Sequence, residues 1–113
     1  MEVPLQIRLP DKTTMPAYGP GWRELWAATW TGLRDPGYVS WRPTLLLHDD
    51  GQFLVFVVFE QPGGAGSAVG EVVSHPDELA SALLRSVGRS GLEGAPGEWV
   101  EAIKAAARSD RTG

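Results

Sequence analysis

Two apolar runs near the middle of the chain are separated by a short polar loop. The runs cover residues 38–47 and 53–60, and the loop between them reads His-Asp-Asp-Gly-Gln. Such a loop is typical of a β-hairpin in which two residues adopt right-handed helical angles and the glycine adopts left-handed ones. The spacing predicts that His48 pairs with Gln52 and that Gly51 forms a bulge at the turn.

This register predicts two hairpin faces of different polarity, because successive side chains of a strand point to opposite sides of the sheet. One face is apolar throughout and pairs Leu47 with Phe53, Leu45 with Val55, Pro43 with Val57 and Trp41 with Phe59. The other face is mixed and pairs Leu46 with Leu54, Thr44 with Phe56, Arg42 with Val58 and Ser40 with Glu60. We expect the apolar face to carry the core of the domain.

The N-terminal third of the chain is predicted to contain one strand and one helix. Residues 2–9 alternate apolar and polar side chains, and Pro4 favours an edge strand because proline has no amide proton to donate. Within residues 21–34, three tryptophans lie four positions apart, which predicts a helix with an aromatic stripe directed at the core. These are Trp22, Trp26 and Trp30. A strand is the alternative for this segment, because tryptophan and threonine favour sheets.

The C-terminal half is predicted to form one short strand and two helices. Residues 68–73 form the strand, residues 74–88 form an amphipathic helix with Ser74 as its N-cap, and residues 98–108 form the last helix. Together the elements predict a single α+β domain over residues 1–113, frayed at its last few residues. The expected architecture is a two-layer sandwich with a mostly antiparallel sheet of about four strands and three helices, in the order β-α-β-β-β-α-α.

Composition narrows the functional classes. The 113 residues include no cysteine and carry a formal net charge of −4. The absence of cysteine excludes disulfides and thiolate metal sites, and the acidic balance argues against nucleic-acid binding, which needs a basic stripe. The longest apolar run, residues 53–59, is far shorter than the about 20 residues of a membrane span. The first nine residues resemble a strand more than a secretion signal. We expect a cytoplasmic protein that binds neither nucleic acid nor membrane.

Residues that could carry chemistry have simpler structural explanations. His48 precedes two aspartates, but turn formation accounts for both of them. His75, the other histidine, stands at a predicted helix start. The glycine-rich segment 64–70 lacks the lysine and the following helix of a phosphate-binding loop. The sequence therefore predicts no catalytic, cofactor-binding or metal-binding residue and favours a non-catalytic role.

The mixed hairpin face is the predicted functional surface, because an apolar island with a polar rim is typical of protein interfaces. The candidate interface consists of Tyr38, Arg42, Leu46, Leu54, Phe56 and Val58. We expect a protein-interaction module, such as an inhibitor, immunity, adaptor or assembly protein, that binds a protein partner or a second copy of itself as a homodimer. One alternative is that a helix covers this face as part of the core. Another is a small ligand-binding domain or enzyme with its pocket between the tryptophan helix and the sheet.

Overall fold

The computed structural model describes residues 6–16, 19–34, 37–60, 66–92 and 96–112. Seven strands and two α-helices lie within these ranges. The strands are β1 Gln6–Arg8, β2 Thr14–Pro16, β3 Trp22–Ala27, β4 Trp30–Arg34, β5 Gly37–His48, β6 Phe53–Glu60 and β7 Ser67–Val73. A 3₁₀ turn at Pro76–Glu78 precedes helix α1 Leu79–Arg89, and helix α2 covers Gly97–Thr112. Neither helix combines the length and the hydropathy that a transmembrane span requires.

The architecture is α+β, but the predicted element count and order are wrong. The described residues form a mixed sheet of seven strands with two helices, where about four strands and three helices in the order β-α-β-β-β-α-α were expected. Two segments account for most of the difference. Residues 14–16, which lie between the predicted strand and the predicted helix, form β2, and residues 22–34, expected to be helical, form β3 and β4.

The tryptophan spacing explains why the segment 22–34 was predicted as a helix. Positions four apart share a face of a helix, but they also share a face of a strand, whose period is two. The free backbone amides and carbonyls along the second edge of β5 favour the strand over the helix, because strands can pair with them. β3 and β4 both pair with β5, and a register shift between Glu24 and Trp26 moves Trp22 and Trp26 to opposite faces of the sheet. The pocket expected between a tryptophan helix and the sheet therefore has no counterpart.

The predicted hairpin register is confirmed. β5 and β6 are antiparallel, and every cross-strand pair expected from Ser40–Glu60 at one end to Leu47–Phe53 at the other is present. At the turn, the His48 amide donates to the Gln52 carbonyl over 2.8 Å. Gly51 has a φ of 93°, in the left-handed region that favours glycine.

Both helices pack on the apolar face of this hairpin and form what we call the helical-side core. From the sheet it takes Trp41, Leu45, Val55 and Val57, and from the helices it takes Leu79, Leu83, Trp99 and Ile103, together with smaller side chains. All of these residues are buried. Each large apolar side chain removed from water contributes about 1.5–3 kcal/mol to stability, so this layer holds α1 and α2 against the sheet.

The N-terminus of the first helical segment differs in detail from the expected cap. His75, and not Ser74, is the residue that precedes the 3₁₀ turn, and its amide donates to the Glu78 carboxylate over 3.3 Å. Pro76 suits the first helical position because that position needs no amide donor.

The sheet curls so strongly that its two ends come together. The strand order is β2-β1-β7-β6-β5-β3, which would place β2 and β3 about 24 Å apart in a flat sheet with a spacing near 4.8 Å. Yet only residues 17–21 connect these two strands. A methyl group on Gly19 would lie 3.6 Å from the ring of Pro16 in β2 and 3.7 Å from the indole of Trp22 in β3. The curl turns one sheet face into a concave interior, opposite the helices.

The concave interior holds a second core, which corrects the predicted interface. This concave core consists of Ile7, Leu46, Leu54, Phe56, Val58 and Ala68, with Leu9, Met15 and Trp22 packed against it. The exposed fractions are zero for Leu46 and Leu54, 1% for Phe56 and 9% for Val58. The sheet itself buries these side chains by folding around them, whereas the sequence suggested either a covering helix or an exposed face.

Candidate functional site

The predicted interface residues do not share one surface. Its four apolar members belong to the concave core and offer no docking surface. Arg42 is exposed. The strand that contains Tyr38 is described, but its side chain lies outside the described part of the structure. The fold does, however, assemble other surfaces from residues that are distant in sequence.

One such surface is a cleft where β1 ends beside β7 and where α1 ends above them. The cleft has a volume of about 590 Å³ and is lined by Arg8, Leu9, Pro10, Lys12 and Arg89. We call it the basic cleft. Three of its five residues are cations, and they come from a strand, a turn and a helix of a chain whose net charge is −4.

A tight turn between β1 and β2 presents Lys12. The Leu9 amide donates to the Thr13 carbonyl over 2.8 Å, and the Lys12 amide donates to the Leu9 carbonyl over 2.9 Å. Lys12 has a φ of 73°, a conformation that costs a residue with a side chain about 1–2 kcal/mol. Glycine would avoid this cost, so the turn keeps a lysine at a position where a lysine is unfavourable for folding.

Asp11 braces this turn from inside. Its carboxylate accepts hydrogen bonds from the Thr13 hydroxyl and, over 2.9 Å, from the Thr13 amide. The hydroxyl, and then the amide, lower the pKa of Asp11, because both donate to the charged form. Asp11 is the one carboxylate within this turn, and it is thus already hydrogen-bonded to Thr13.

Arg89 is held in the cleft by two backbone carbonyls. Its guanidinium donates to the carbonyl of Gly70 over 3.2 Å and to the carbonyl of Arg8 over 3.0 Å. In the parallel ladder, β1 pairs with β7 only at Ile7–Ala68 and Arg8–Val69. The next amide that could reach the Gly70 carbonyl belongs to Pro10, which has no amide proton. Arg89 supplies the missing donor. Because carbonyl groups are neutral, these two hydrogen bonds do not neutralise the positive charge of Arg89.

Arg85, one helical turn before Arg89, has a different role. Its guanidinium makes two hydrogen bonds of 2.8 and 2.9 Å with the two carboxylate oxygens of Glu71 on β7. The hydrogen bonding to Glu71 raises the pKa of Arg85. Because Glu71 is buried and this pair is bidentate, Arg85 fastens α1 to the sheet. The positive charge of Arg85 is therefore already paired with the carboxylate of Glu71.

A second, smaller pocket lies at the end of the mixed hairpin face. It has a volume of about 100 Å³ and is lined by Thr29, Ser40, Arg42, Val58 and Glu60. We call it the polar pocket. Thr29 lies in the break between β3 and β4, and the other four residues are cross-strand neighbours on β5 and β6.

The histidine–aspartate segment forms a turn, as the sequence predicted. The His48 Nδ1 atom lies 3.0 Å from a carboxylate oxygen of Asp50, and the Asp50 amide lies 3.2 Å from the same nitrogen. The Gln52 amide donates to Asp50 over 2.9 Å and is the main reason why the pKa of Asp50 is lowered. The ring of Trp22 packs edge-on against the ring of His48, with 4.7 Å between the ring centroids. Across the described ranges, no three His, Cys, Asp or Glu side chains come together as metal ligands do.

The basic cleft could not be predicted from the sequence, since Arg8 and Arg89 are 81 positions apart. An arginine in the last turn of a helix, such as Arg89, is also common without any binding role, because a cation there interacts favourably with the helix dipole. The local sequence carries only one usable signal, the Arg-Leu-Pro segment at positions 8–10, which marks a strand that must stop where its next amide is needed. Finding the cleft also requires knowing that β1 lies beside β7 and that α1 ends above both.

Comparisons with known proteins add no functional information. No protein-family model matches the chain, and no significant similarity was found to curated proteins or to solved structures.

Proposed function

We propose that this protein is a non-catalytic interaction module that binds an acidic segment of a partner protein in the basic cleft. The observation that carries the proposal is the convergence of Arg8, Lys12 and Arg89 from three separate elements on one cleft of an acidic chain. Cations gathered in this way repel one another. A partner that brings carboxylates relieves this repulsion.

The cleft suits carboxylates in its chemistry and in its rigidity. A guanidinium offers a planar fork of donors that matches a carboxylate, whereas Lys12 adds a compact point charge. Two hydrogen bonds hold Arg89 before any partner arrives, which lowers the conformational entropy lost on binding. Leu9 and Pro10 add apolar surface between the charges.

A protein partner fits these features better than a nucleic acid. Phosphate-backbone binding draws its affinity from many neutralised phosphates, and the basic cleft offers three cations. A polyanion that extends beyond the cleft would meet a chain of net charge −4. Self-association through the mixed hairpin face has lost its support, because the apolar side chains of that face are buried.

The test is the binding of a fluorescein-labelled peptide rich in aspartate and glutamate, measured by anisotropy at low and at high salt. We expect Arg8→Glu and Lys12→Glu each to weaken binding at least tenfold, because each replaces an attraction with a repulsion. Lys104→Glu is the matched control, because Lys104 lies on α2, is exposed and does not line the basic cleft. Equal losses in the control and in the cleft variants would contradict the proposal. So would a single-stranded DNA that displaces the peptide at lower concentration than the unlabelled peptide does.

A further inference from the structure

The polar pocket contains one cation and one anion that face a common space. Arg42 on β5 stands opposite Val58 on β6, and Glu60 stands two positions further along β6. Diagonal neighbours of this kind are about 7–8 Å apart at their Cα atoms, which is within reach of long side chains. Arg42 and Glu60 are therefore close enough to form an ordinary surface ion pair.

The two side chains do not pair in the structure. Within the described ranges, no side-chain hydrogen bond and no ion pair involves Arg42 or Glu60. The carboxylate of Glu60 lies instead against Gly66, where an added methyl group would be 3.5 Å from its Oε1 atom. The two opposite charges thus line the same pocket without forming an ion pair.

The other lining residues define what could fill the space between these charges. Thr29 and Ser40 each supply a hydroxyl that can donate or accept a hydrogen bond. Val58, 9% exposed, belongs to the concave core and forms an apolar floor. The polar pocket, with a volume of about 100 Å³, is much smaller than the basic cleft, with about 590 Å³. A ligand that matches these lining groups is small, polar and charged with both signs.

We propose that the polar pocket binds a small zwitterion, namely an α-amino acid with a short side chain. Its carboxylate pairs with Arg42 and its ammonium group pairs with Glu60, while the hydroxyls of Thr29 and Ser40 complete its hydrogen bonds. One ligand then neutralises both protein charges, which neither a simple anion nor a simple cation can do. This inference does not depend on the proposed binding of an acidic segment, because the two sites share no residue.

Titration of the ¹⁵N-labelled protein with glycine tests the inference, with acetate and methylammonium as half-ligands that carry one charge each. We expect glycine to shift the amide signals of Thr29, Ser40, Arg42, Val58 and Glu60 saturably. Acetate and methylammonium should bind at least tenfold more weakly, because each leaves one protein charge without a partner.

Variants separate binding in the pocket from general charge effects. Arg42→Gln and Glu60→Gln should each weaken glycine binding at least tenfold, and their dispersed spectra would show that they still fold. Glu98→Gln and Lys104→Gln, exposed on α2, make the same changes of charge away from the pocket and should leave glycine binding unchanged. Glycine shifts that do not saturate, or acetate binding as tight as glycine binding, would overturn the inference.

Discussion

The substitution Phe56→Ala tests whether the concave face of the sheet is a core. Phe56 is 1% exposed, so the change removes a whole buried aromatic ring. Its cross-strand neighbour on β7 is Gly70, which has no side chain that could move into the space left behind. Phenylalanine-to-alanine changes in cores cost about 3–5 kcal/mol, and the upper part of the range applies where the cavity cannot close.

The measurement is urea unfolding followed by tryptophan fluorescence and by far-ultraviolet circular dichroism. We expect the free energy of unfolding to fall by about 3–5 kcal/mol. The melting temperature should then fall by about 12–20 °C, since a chain of this size loses about 4 °C per kcal/mol. Phe56→Leu, which keeps most of the volume, should cost less than about 1.5 kcal/mol and provides a variant that still folds.

Leu84→Ala is the matched control, because Leu84 on α1 is 50% exposed. Exposed substitutions of this kind change stability by about 0.5 kcal/mol or less. If Phe56→Ala costs as little as Leu84→Ala, the concave face is a solvent-facing or partner-facing surface and the argument for a second core fails.

Two further predictions concern close packing and pH. An added methyl group at Gly70 would lie 2.4 Å from a backbone carbonyl of β6, whereas the nearest atoms to one at Gly32 belong to the side chain of Trp30, which is 36% exposed and moves more easily than backbone. Gly70→Ala should therefore lower the melting temperature clearly more than Gly32→Ala does. The pKa of Asp50 is lowered in the fold, so its contribution to stability is complete above the unfolded-state value of about 3.9 and disappears as the pH falls through the folded-state value. The urea midpoint of Asp50→Asn should fall less than that of the wild type between pH 5 and acid conditions, and parallel pH curves would refute this.

Patterns within a few residues of each other predicted the hairpin and the two C-terminal helices well. The Asp-Asp-Gly turn and the alternation of side chains set the register from Ser40 to Glu60, because both signals act between neighbouring residues. The apolar spacing on α1 and α2 likewise follows from the helical period alone. The expected helix 98–108 lies within the observed helix Gly97–Thr112.

The candidate sites were predicted less well than the fold. Arg42 and Val58 were named from the sequence and do line the polar pocket, but as parts of an expected protein interface. The burial of Leu46, Leu54 and Phe56 could not be predicted from the hairpin. A mixed face has the same pattern of apolar and polar residues whether water or another part of the sheet covers it.

By itself, the sequence determined the elements whose hydrogen bonds and packing are local: the β5–β6 hairpin, its two faces and the amphipathic helices. Only the tertiary structure decided that residues 22–34 are extended, because a period of four fits a helix and a strand equally and the open edge of β5 lies elsewhere in the chain. It also decided the curl of the sheet, which buries the mixed face, and the meeting of Arg8 with Arg89. These outcomes rest on contacts between distant residues, and no short segment of the chain contains both partners.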